Sequence, residues 1–453
     1  MTEQVAEQAA AAGDAGEVPI KELSIEEAMR LAISMQQQGA LDNAEEVYRR
    51  ILSIEPGHAG AKHFLGLAVY HLNRKAEGIA LVHESIALVP GEADWHSNLG
   101  NLLMEDWRLE EAHDCYKSAI RLNPGHANAV SNLGMVYRGL GMNEEAEQTF
   151  LRAIWLDSKQ YAAFQNLGAL YHKLGRVEEA IQCFLKAIIV KPKHNSHTRA
   201  LLGRAYSATG QIDKAADVYR TWLAEEPDSP AARHMLAAVT EQDVPGRASD
   251  AYVTAEFDGF ASSFDAKLEE LEYKAPQFMA EALGAAAPGR MLDIIDAGCG
   301  TGLCGPLVKA QAKSLTGVDL SQNMLNLAVP RNAYDTLEKA ELTAFLEARE
   351  AACDAIISAD TLCYFGRLEE FSAAALGALR ADGVLIFSVE AVTGEGGGAG
   401  YIIQPHGRYA HRRGYLETVL QEAGFRIDSI REVVLRQEIL KPVHGFVVTA
   451  RKP

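Results

Sequence analysis

Apolar, small and proline positions recur with a period of 34 residues in the first half of the chain. Three successive copies place a small residue, an aromatic residue and another small residue at fixed offsets: Ala112, Tyr116 and Ala119; Ala146, Phe150 and Ala153; Ala180, Phe184 and Ala187. Glycine and proline keep the same period or a near multiple of it, at Gly66, Gly100, Gly134, Gly168 and Gly203 and at Pro56, Pro90, Pro124, Pro192 and Pro227. Small residues let two antiparallel helices approach closely, the aromatic ring fills the gap to the next unit, and proline ends the second helix. The pattern predicts repeated helix-turn-helix units.

This repeat resembles the tetratricopeptide repeat. Six units fit the period, and the sequence predicts them at residues 25–58, 59–92, 93–126, 127–160, 161–194 and 196–229. Residues 1–24 are predicted to be a disordered tail, and residues 230–249 a capping helix and linker. The sequence therefore predicts an all-α solenoid for the first half of the chain.

A solenoid of such units offers a concave surface that commonly holds a protein or peptide. Asn98, Asn132 and Asn166 recur on one helix face, where they either hold the backbone of a bound peptide or form hydrogen bonds within the repeats. The alternative is a scaffold or dimerisation element without cargo. A protein or peptide partner is the expectation, and a homo-oligomer stays open.

After residue 245 the pattern changes to strands that alternate with helices, which predicts a parallel sheet wrapped by helices. An apolar strand at residues 291–296 runs into a turn with Gly298, Gly300 and Gly302, and a helix follows. Glycines in such a turn allow a ligand to approach the backbone, and the amides at the start of the helix offer donors. The next strand ends on Asp319, whose carboxylate could accept both hydrogen bonds of a ribose diol.

Two cofactors fit this glycine turn. Gly300, Gly302 and Gly305 match the spacing of dinucleotide-binding folds, which favours NAD. However, Asp296 stands two residues before Gly298, and a carboxylate suits a cationic sulfonium and ammonium better than a pyrophosphate. The run Asp-Ala-Gly-Cys-Gly-Thr-Gly is similar to the first motif of class I methyltransferases, so the resemblance implies S-adenosylmethionine. It covers residues 250–453 and implies an α/β Rossmann-like domain with an antiparallel last strand.

The same resemblance assigns further cofactor-binding residues. The segment from Asp319 and Leu320 to Met324 is similar to the family's second motif, which implies Asp319 on the ribose and Met324 against the adenine. Glu341 falls where the family commonly has an acid that contacts the adenine amino group, although an exposed glutamate there would carry no function. Asp360 and Tyr364 follow the fourth strand, in the loop that opens onto the transferred methyl group. Residues 354–365 are predicted to contain the fourth strand and this loop, residues 383–390 the fifth strand, and residues 425–435 and 443–451 two late strands.

Two flanking segments are candidates for the substrate site. Phe257, Phe260 and Phe264 lie on one face of a predicted helix, which either packs into the core or covers the cofactor. In the second case Tyr252 and Phe264 are the expected contacts.

The second flanking segment is a glycine-rich run at residues 394–400, which is followed by His406, Arg408, Tyr409 and His411. It is either a flexible substrate loop or a surface loop with solvated charges. As a substrate loop it would use one of the histidines as the base, Arg408 to hold a carboxylate and Tyr409 to position the acceptor. The sequence does not distinguish His406 from His411.

Composition excludes several classes of function. The chain has 453 residues, 48% of them hydrophobic, and a net charge of −18. An acidic chain is not expected to bind nucleic acid. The six cysteines have no zinc or redox spacing, so no metal is predicted and buried thiols in a reducing compartment are expected. No signal-peptide pattern or 18-residue apolar run occurs, which predicts a soluble cytoplasmic protein without a membrane partner.

The combination resembles a group of bacterial predicted methyltransferases that carry tetratricopeptide repeats. We therefore expect methyl transfer from S-adenosylmethionine to an oxygen or nitrogen acceptor on a protein or peptide that the repeats recruit. An oxygen acceptor would use His406 or His411, whereas an amine would be oriented by Asp360 and Tyr364. The alternatives are a small-molecule methyltransferase and a repeat adaptor whose second domain only senses the cofactor.

Overall fold

A computed structural model of the chain describes residues 23–193, 195–261, 264–392, 400–438 and 441–453. The chain divides into two compact units, of which one ends at Leu170 and the other begins at Tyr171. The described residues between 25 and 240 form thirteen helices: α1 Ile25–Gln37, α2 Leu41–Ile54, α3 Ala59–His71, α4 Lys75–Leu88, α5 Ala93–Glu105, α6 Leu109–Leu122, α7 Ala127–Gly139, α8 Asn143–Leu156, α9 Tyr161–Lys173, α10 Val177–Val190, α11 Ser196–Ala208, α12 Ile212–Glu225 and α13 Pro230–Thr240. The first twelve form the predicted repeat pairs. The boundaries proposed for the domains stay a prediction.

The glycines of the repeats make room for aromatic rings. A Cβ atom added to Gly100 would lie 2.8 Å from the ring of Tyr116, and one added to Gly134 would lie 2.7 Å from the ring of Phe150. Both rings are fully buried. Each aromatic residue therefore packs against the glycine of its own unit, whereas the sequence analysis placed it in the gap between successive units.

The second unit continues into a nine-stranded mixed sheet. Its strands are β1 Leu292–Ala297, β2 Ala312–Asp319, β3 Thr336–Lys339, β4 Cys353–Ser358, β5 Leu379–Ala391, β6 Tyr401–Ile403, β7 Tyr409–His411, β8 Arg426–Glu438 and β9 Lys441–Arg451. Strands β3, β2, β1, β4 and β5 are parallel neighbours in that order, and β9 pairs antiparallel with both β5 and β8. This arrangement confirms the predicted fold, an all-α repeat solenoid followed by a Rossmann-like α/β domain with an antiparallel last strand.

Helices cover both faces of this sheet. They are α14 Asp250–Phe260, α15 Phe264–Glu270, α16 Ala275–Ala286, α17 Gly305–Val308, α18 Gln322–Ala328, α19 Leu342–Glu347, α20 Glu369–Ala378 and α21 Arg413–Ala423. One apolar core contains Phe345, Phe371 and Leu416, and a second contains Met279, Leu283 and Val308. Because β1 and β4 are covered on both sides, their residues are almost continuously buried.

The structure corrects the interpretation of residues 401–411 as a flexible loop. Tyr401–Ile403 and Tyr409–His411 are strands that pair with each other, and Ala410 and His411 also pair with the end of β5. The glycine-rich run before them lies outside the described residues except for Gly400.

Two of the expectations drawn from composition concern cysteines and membranes. Cys299, Cys304, Cys353 and Cys363 are buried thiols, whereas Cys115 and Cys183 are only half-buried; no disulfide joins any of the six, all of which lie in the described parts of the chain. Within the described parts of the chain, no helix combines the length and apolar character needed to cross a membrane.

Candidate active site

The glycine turn after β1 forms one wall of a pocket at the carboxyl ends of the parallel strands. Gly298 and Gly300 have φ values of +77° and +54°, in the region that disfavours residues with a side chain. A Cβ atom on Gly298 would lie 2.1 Å from Oγ1 of Thr361, whereas nothing lies within 4 Å of one on Gly300. Packing against Thr361 thus requires a residue without a side chain at position 298, whereas the backbone of Gly300 faces open space. Both glycines line the pocket.

Asp319 ties this turn to the end of β2. Its Oδ2 accepts a hydrogen bond from the Gly300 amide at 2.9 Å, and its Oδ1 accepts one from the Ser321 amide at 2.8 Å. Burial raises the pKa of Asp319, and the bonds from Ser321 and Gly300 partly offset this effect. Each carboxylate oxygen can accept a second hydrogen bond. The side chain, which lines the pocket, can therefore bind a diol while it holds the turn.

Asp296 lies beneath the turn. Its side chain is fully buried, Oδ2 accepts a hydrogen bond from the Tyr334 hydroxyl at 2.6 Å, and Oδ1 has no partner among the described residues. Burial raises the pKa of Asp296 to about 7; the bond from Tyr334 counteracts this rise and the nearby charge of Asp319 adds to it. The described pocket wall does not include Asp296, so the structure separates this acid from the surface where the sequence analysis expected a cofactor cation.

The other predicted cofactor residues divide into two groups. Leu320, Glu341 and Asp360 line the pocket together with the turn and Asp319, whereas Gly302 and Met324 are outside the described wall. Met324 is a buried residue in the first turn of α18. The Glu341 carboxylate accepts hydrogen bonds from the amides of Thr343 and Ala344, at 3.1 and 2.8 Å, so it caps α19 while facing the pocket.

Aromatic residues form the far end of the pocket. The ring of Phe257 meets that of Tyr364 edge to face at 5.5 Å and that of Phe264 at 5.9 Å, and all three line the wall. Burial raises the pKa of Tyr364, so its hydroxyl keeps its proton. Leu268 and Leu271 complete this apolar chamber. Phe264, which the sequence analysis proposed as a substrate contact, lines the pocket, while no side-chain position is described for Phe260.

A buried ionic cluster borders the same chamber. Nη1 of Arg408 lies 2.6 Å from Glu438 and 3.3 Å from Glu390, and Arg436 pairs with Asp360 at 2.5 Å, with Glu438 at 2.7 Å and with Glu390. Arg408, Arg436 and Asp360 line the pocket. Burial raises the pKa of Asp360, and the charge of Arg436 counteracts it. Three carboxylates face two guanidinium groups, so the cluster favours a cation or neutral donor over another anion.

A second candidate surface is a polar groove on the repeats of the first unit. Asn98 and Asn132 both line it. Nδ2 of Asn98 is 3.1 Å from Nε2 of His63, and Nδ2 of Asn132 donates to Asn101 at 2.8 Å. Trp95 stacks on His63 at the same groove. Asn166, the third predicted residue, is half-buried on α9.

Comparisons with known proteins agree with both parts of the chain. A family model described as a methyltransferase domain matches residues 295–387, and three tetratricopeptide-repeat models match residues 93–126, 115–148 and 160–224. The chain combines tetratricopeptide repeats with a class I methyltransferase domain. The methyltransferase domain supports methylation with S-adenosylmethionine in general terms, and the repeats support a role in protein interaction. No match was found among curated proteins.

Several solved structures are similar to the repeats. PilF of Pseudomonas aeruginosa is 21% identical, covers 47% of this chain and 96% of its own, and gives a TM-score of 0.42. PilW, a type IV pilus biogenesis factor, is 18% identical, with coverage of 47% and 98% and a TM-score of 0.44. YrrB, a repeat protein with an unusual peptide-binding site, is 23% identical, with coverage of 40% and 95% and a TM-score of 0.33.

The methyltransferase domain holds the predicted histidines away from the described pocket wall. His411 is fully buried, its Nε2 lies 3.1 Å from the Gly366 carbonyl, and burial lowers its pKa to about 4. Nε2 of His406 lies 3.7 Å from Glu390. Neither ring lines the pocket. These placements argue against either histidine as a base in this conformation, most strongly for His411.

Two predicted substrate contacts have structural partners instead. The Tyr409 hydroxyl donates to the Pro245 carbonyl at 2.8 Å, and the Tyr252 hydroxyl contacts Sδ of Met235 at 3.9 Å. Both tyrosines are buried outside the described pocket wall. Of the tyrosine, arginine and histidine residues at positions 406–411, only Arg408 lines the pocket. The side chains of Tyr409 and His411 on β7 are buried, and that of His406 is partly exposed.

Sequence reasoning missed Arg436, Glu390 and the apolar residues Leu268 and Leu271, which lie in the last turn of α15 and just after it. Arg436 lies on β8 and Glu390 on β5, and β9 lies between those strands. Their approach depends on the order of strands in the sheet. The signal available in the sequence was a charged residue, Glu390, directly after the mostly apolar segment Val384–Val389.

Proposed function

We propose that residues 250–453 transfer a methyl group from S-adenosylmethionine to an oxygen or nitrogen acceptor, which a protein or peptide bound by the repeats presents. The observation that carries this proposal is one continuous pocket. It has the open Gly300 backbone and Asp319 at one end, and Tyr364, Asp360 and the apolar chamber at the other. The first end suits a nucleoside and the second suits an acceptor.

The residues present fit the cofactor. Gly300 has space for a ligand beside its backbone, and Asp319 has lone pairs for a ribose diol. Leu320 and Leu342 offer apolar contacts for a flat base, and Glu341 lines the same part of the pocket with a carboxylate. When bound, S-adenosylmethionine supplies an electrophilic methyl group on a positively charged sulfur. The other contributions come from the side chains of this chain.

At the acceptor end, the aromatic residues exclude water and position the acceptor. Oδ2 of Asp360 is bonded to Arg436, whereas Oδ1 has only a long contact of 3.4 Å with Ser388. Oδ1 is therefore the atom that would accept a hydrogen bond from an acceptor amine, with the Tyr364 hydroxyl as second partner. This favours nitrogen over oxygen, because no imidazole lines the described wall to take a hydroxyl proton.

The groove on the repeats supports recruitment of a peptide. Its described lining contains side-chain amides of Asn98, Asn101 and Asn132, which can pair with a peptide backbone, and the ring of Trp95. It includes Asp94 and no lysine or arginine. A neutral or basic peptide segment is thus favoured over an acidic one.

The first test is calorimetry of the full chain with S-adenosylhomocysteine, the demethylated product. We expect binding by the wild type and binding weaker by about tenfold or more for Asp319→Asn, which loses one acceptor oxygen. Asp335→Asn is the matched control: Asp335 also accepts a backbone hydrogen bond, from Leu315 at 2.8 Å, but lies outside the described pocket wall. Tight NAD binding without any heat from S-adenosylhomocysteine would refute the cofactor assignment.

The second test asks what is methylated. Captured partners of residues 25–229 would be incubated with full-length protein and S-adenosylmethionine, and searched by mass spectrometry for added methyl groups. Methylated protein that is absent with Asp319→Asn supports the proposal. Methylation of a small molecule without the repeats would favour the small-molecule alternative, and cofactor binding without any product would favour a sensor.

A further inference from the structure

Helix α14 lines the pocket with one face and contacts other helices with the adjacent face. Val253 and Phe257, four residues apart, line the pocket. Tyr252 and Glu256, also four residues apart, form the adjacent face. Because both faces belong to one short helix, contacts made by Tyr252 and Glu256 also fix the position of Val253 and Phe257 in the pocket wall.

The last repeat and the helix that follows it, α13, both contact this second face. Nη2 of Arg204 on α11 donates to Oε1 of Glu256 at 2.7 Å, and both side chains are about three-quarters buried, at 28% and 25% exposure. The ring of Tyr252 stacks on that of His234, on α13, with centroids 4.3 Å apart. A hydrogen-bonded charge pair of this burial is worth more than a surface pair, which competes with water.

The other end of α14 is fixed to the glycine turn and its surroundings. Asp258 accepts a hydrogen bond from Oγ of Ser321 at 2.5 Å, and the amide of Ser321 donates to Asp319. On α15, Asp265 accepts from Oγ1 of Thr301 at 2.5 Å. The helix thus connects the last repeat to the residues that would hold the nucleoside.

Helix α13 also holds the turn that carries Arg408. Nε2 of His234 donates to the carbonyl of Gly407 at 2.7 Å, and both residues are buried. Gly407 has φ +90°, and a Cβ atom there would lie 2.9 Å from Sδ of Met235. Arg408 is the next residue after Gly407 and lines the pocket. The hydrogen bond from His234 to Gly407 therefore fixes the backbone of Arg408 relative to α13.

We propose that Arg204 and His234, on helices outside the methyltransferase sheet, are positioning residues of the methyltransferase site. Through Glu256, Arg204 holds α14, whose Phe257 lines the acceptor end of the pocket and whose Asp258 is bonded to Ser321 beside the cofactor end. His234 holds the Arg408 turn at the acceptor end. The identity of the cofactor in this inference rests on the proposed function. The last repeat is then part of the enzyme's site as well as of the solenoid.

The test measures binding of S-adenosylhomocysteine by full-length variants. Arg204→Met and Glu256→Gln should each weaken binding by about tenfold, because each leaves the other partner of a part-buried pair uncompensated. The double variant should lose less than the two effects combined. Arg204→Lys, which keeps the charge, should restore part of the affinity.

Arg199→Met is the matched control on the same helix. Arg199 pairs with Glu225 at 2.8 Å and with Asn195 at 2.6 Å, all within the repeat region. Its loss should lower thermal stability without changing the affinity for S-adenosylhomocysteine. Unchanged affinity in Arg204→Met, or an equal loss in Arg199→Met, would overturn the proposal.

A second measurement separates this inference from the cofactor assignment. Amide hydrogen exchange in residues 250–260 of the ligand-free protein should become faster in Arg204→Met and stay unchanged in Arg199→Met. If the wild type does not bind S-adenosylhomocysteine, the proposed function fails, and the exchange rates still decide whether Arg204 holds α14. Equal exchange in both variants would contradict the inference.

Discussion

Asp296 is a carboxyl group in an environment that disfavours its charge. It is fully buried, and its Oδ1 has no hydrogen-bond partner among the described residues. Burial raises its pKa from 3.8 to about 7, partly against the hydrogen bond from Tyr334. The folded protein therefore binds a proton at Asp296 that the unfolded chain has released at the same pH. Stability contributed by the protonated form is fully present below pH 3.8 and is lost as the pH rises towards 7.

Replacement of Asp296 by asparagine should remove this pH dependence. An amide keeps an acceptor for the Tyr334 hydroxyl and never ionises. Relative to the wild type, Asp296→Asn should gain stability as the pH rises from 5 to 7, by roughly 1.4 kcal/mol per unit at most, and the difference should level off above pH 7. Denaturant unfolding at pH 5, 6, 7 and 8 measures this difference.

Asp293→Asn is the control for the same strand. Hydrogen bonds from Ser314 and Arg380 lower the pKa of Asp293, so this carboxyl is ionised throughout the range from pH 5 to 8. Its substitution should change stability by an amount that does not vary with pH in that range. A pH-independent effect of Asp296→Asn would show that Asp296 is not protonated in the folded protein near neutral pH.

At the scale of elements, two glycines of the turn after β1 have different roles: one is required for packing and the other leaves space for a ligand. Gly298 and Gly300 both have positive φ, but only Gly298 is enclosed, by Thr361. Gly300 faces open space in the pocket. The two positions should therefore respond differently to the same added methyl group.

Gly300→Ala should fold with a cost of about 1–2 kcal/mol for the left-handed backbone, and should bind S-adenosylhomocysteine weakly because the methyl group projects into the ligand's space. Gly298→Ala should lose roughly 2–4 kcal/mol of unfolding free energy, because strain and overlap with Thr361 add together. Denaturant unfolding and calorimetry distinguish the two. Normal ligand affinity in folded Gly300→Ala would contradict the assigned role of this backbone.

The elements with a regular pattern were predictable from the sequence. The period of 34 fixed the repeat pairs, and the two late strands, predicted at residues 425–435 and 443–451, are Arg426–Glu438 and Lys441–Arg451. The hairpin of β6 and β7 was not predicted, because its strands have only three residues each, too few to show an alternating pattern. Its stability depends on pairing with the end of β5, a contact between distant segments.

The same distinction applies to the candidate site. Gly298, Gly300 and Asp319 were found because a turn and a strand end have local signals in the sequence. The partners of Arg408 were not found, because Glu390 on β5 and Glu438 on β8 come from distant parts of the chain that only the sheet order brings together. Local pattern thus brought Gly298, Gly300 and Asp319 together, but not the charged residues around Arg408.

At the scale of the molecule, the boundary between the compact units does not coincide with the end of the repeats. The second unit begins at Tyr171 and includes α10 to α13 together with the sheet. Within it, Arg204 pairs with Glu256 and His234 donates to Gly407. These contacts imply that the methyltransferase domain needs the last helices of the solenoid to keep its pocket in shape.

Truncation tests this directly. A fragment of residues 177–453 keeps α10 to α13 and should melt cooperatively and bind S-adenosylhomocysteine as the full chain does. A fragment of residues 250–453 lacks Arg204 and His234 and exposes the buried ring of Tyr252, so it should bind at least about tenfold more weakly or fail to fold. A fragment of residues 230–453 keeps His234 alone and should fall between them. Full affinity in residues 250–453 would show that the sheet and its own helices suffice for the site.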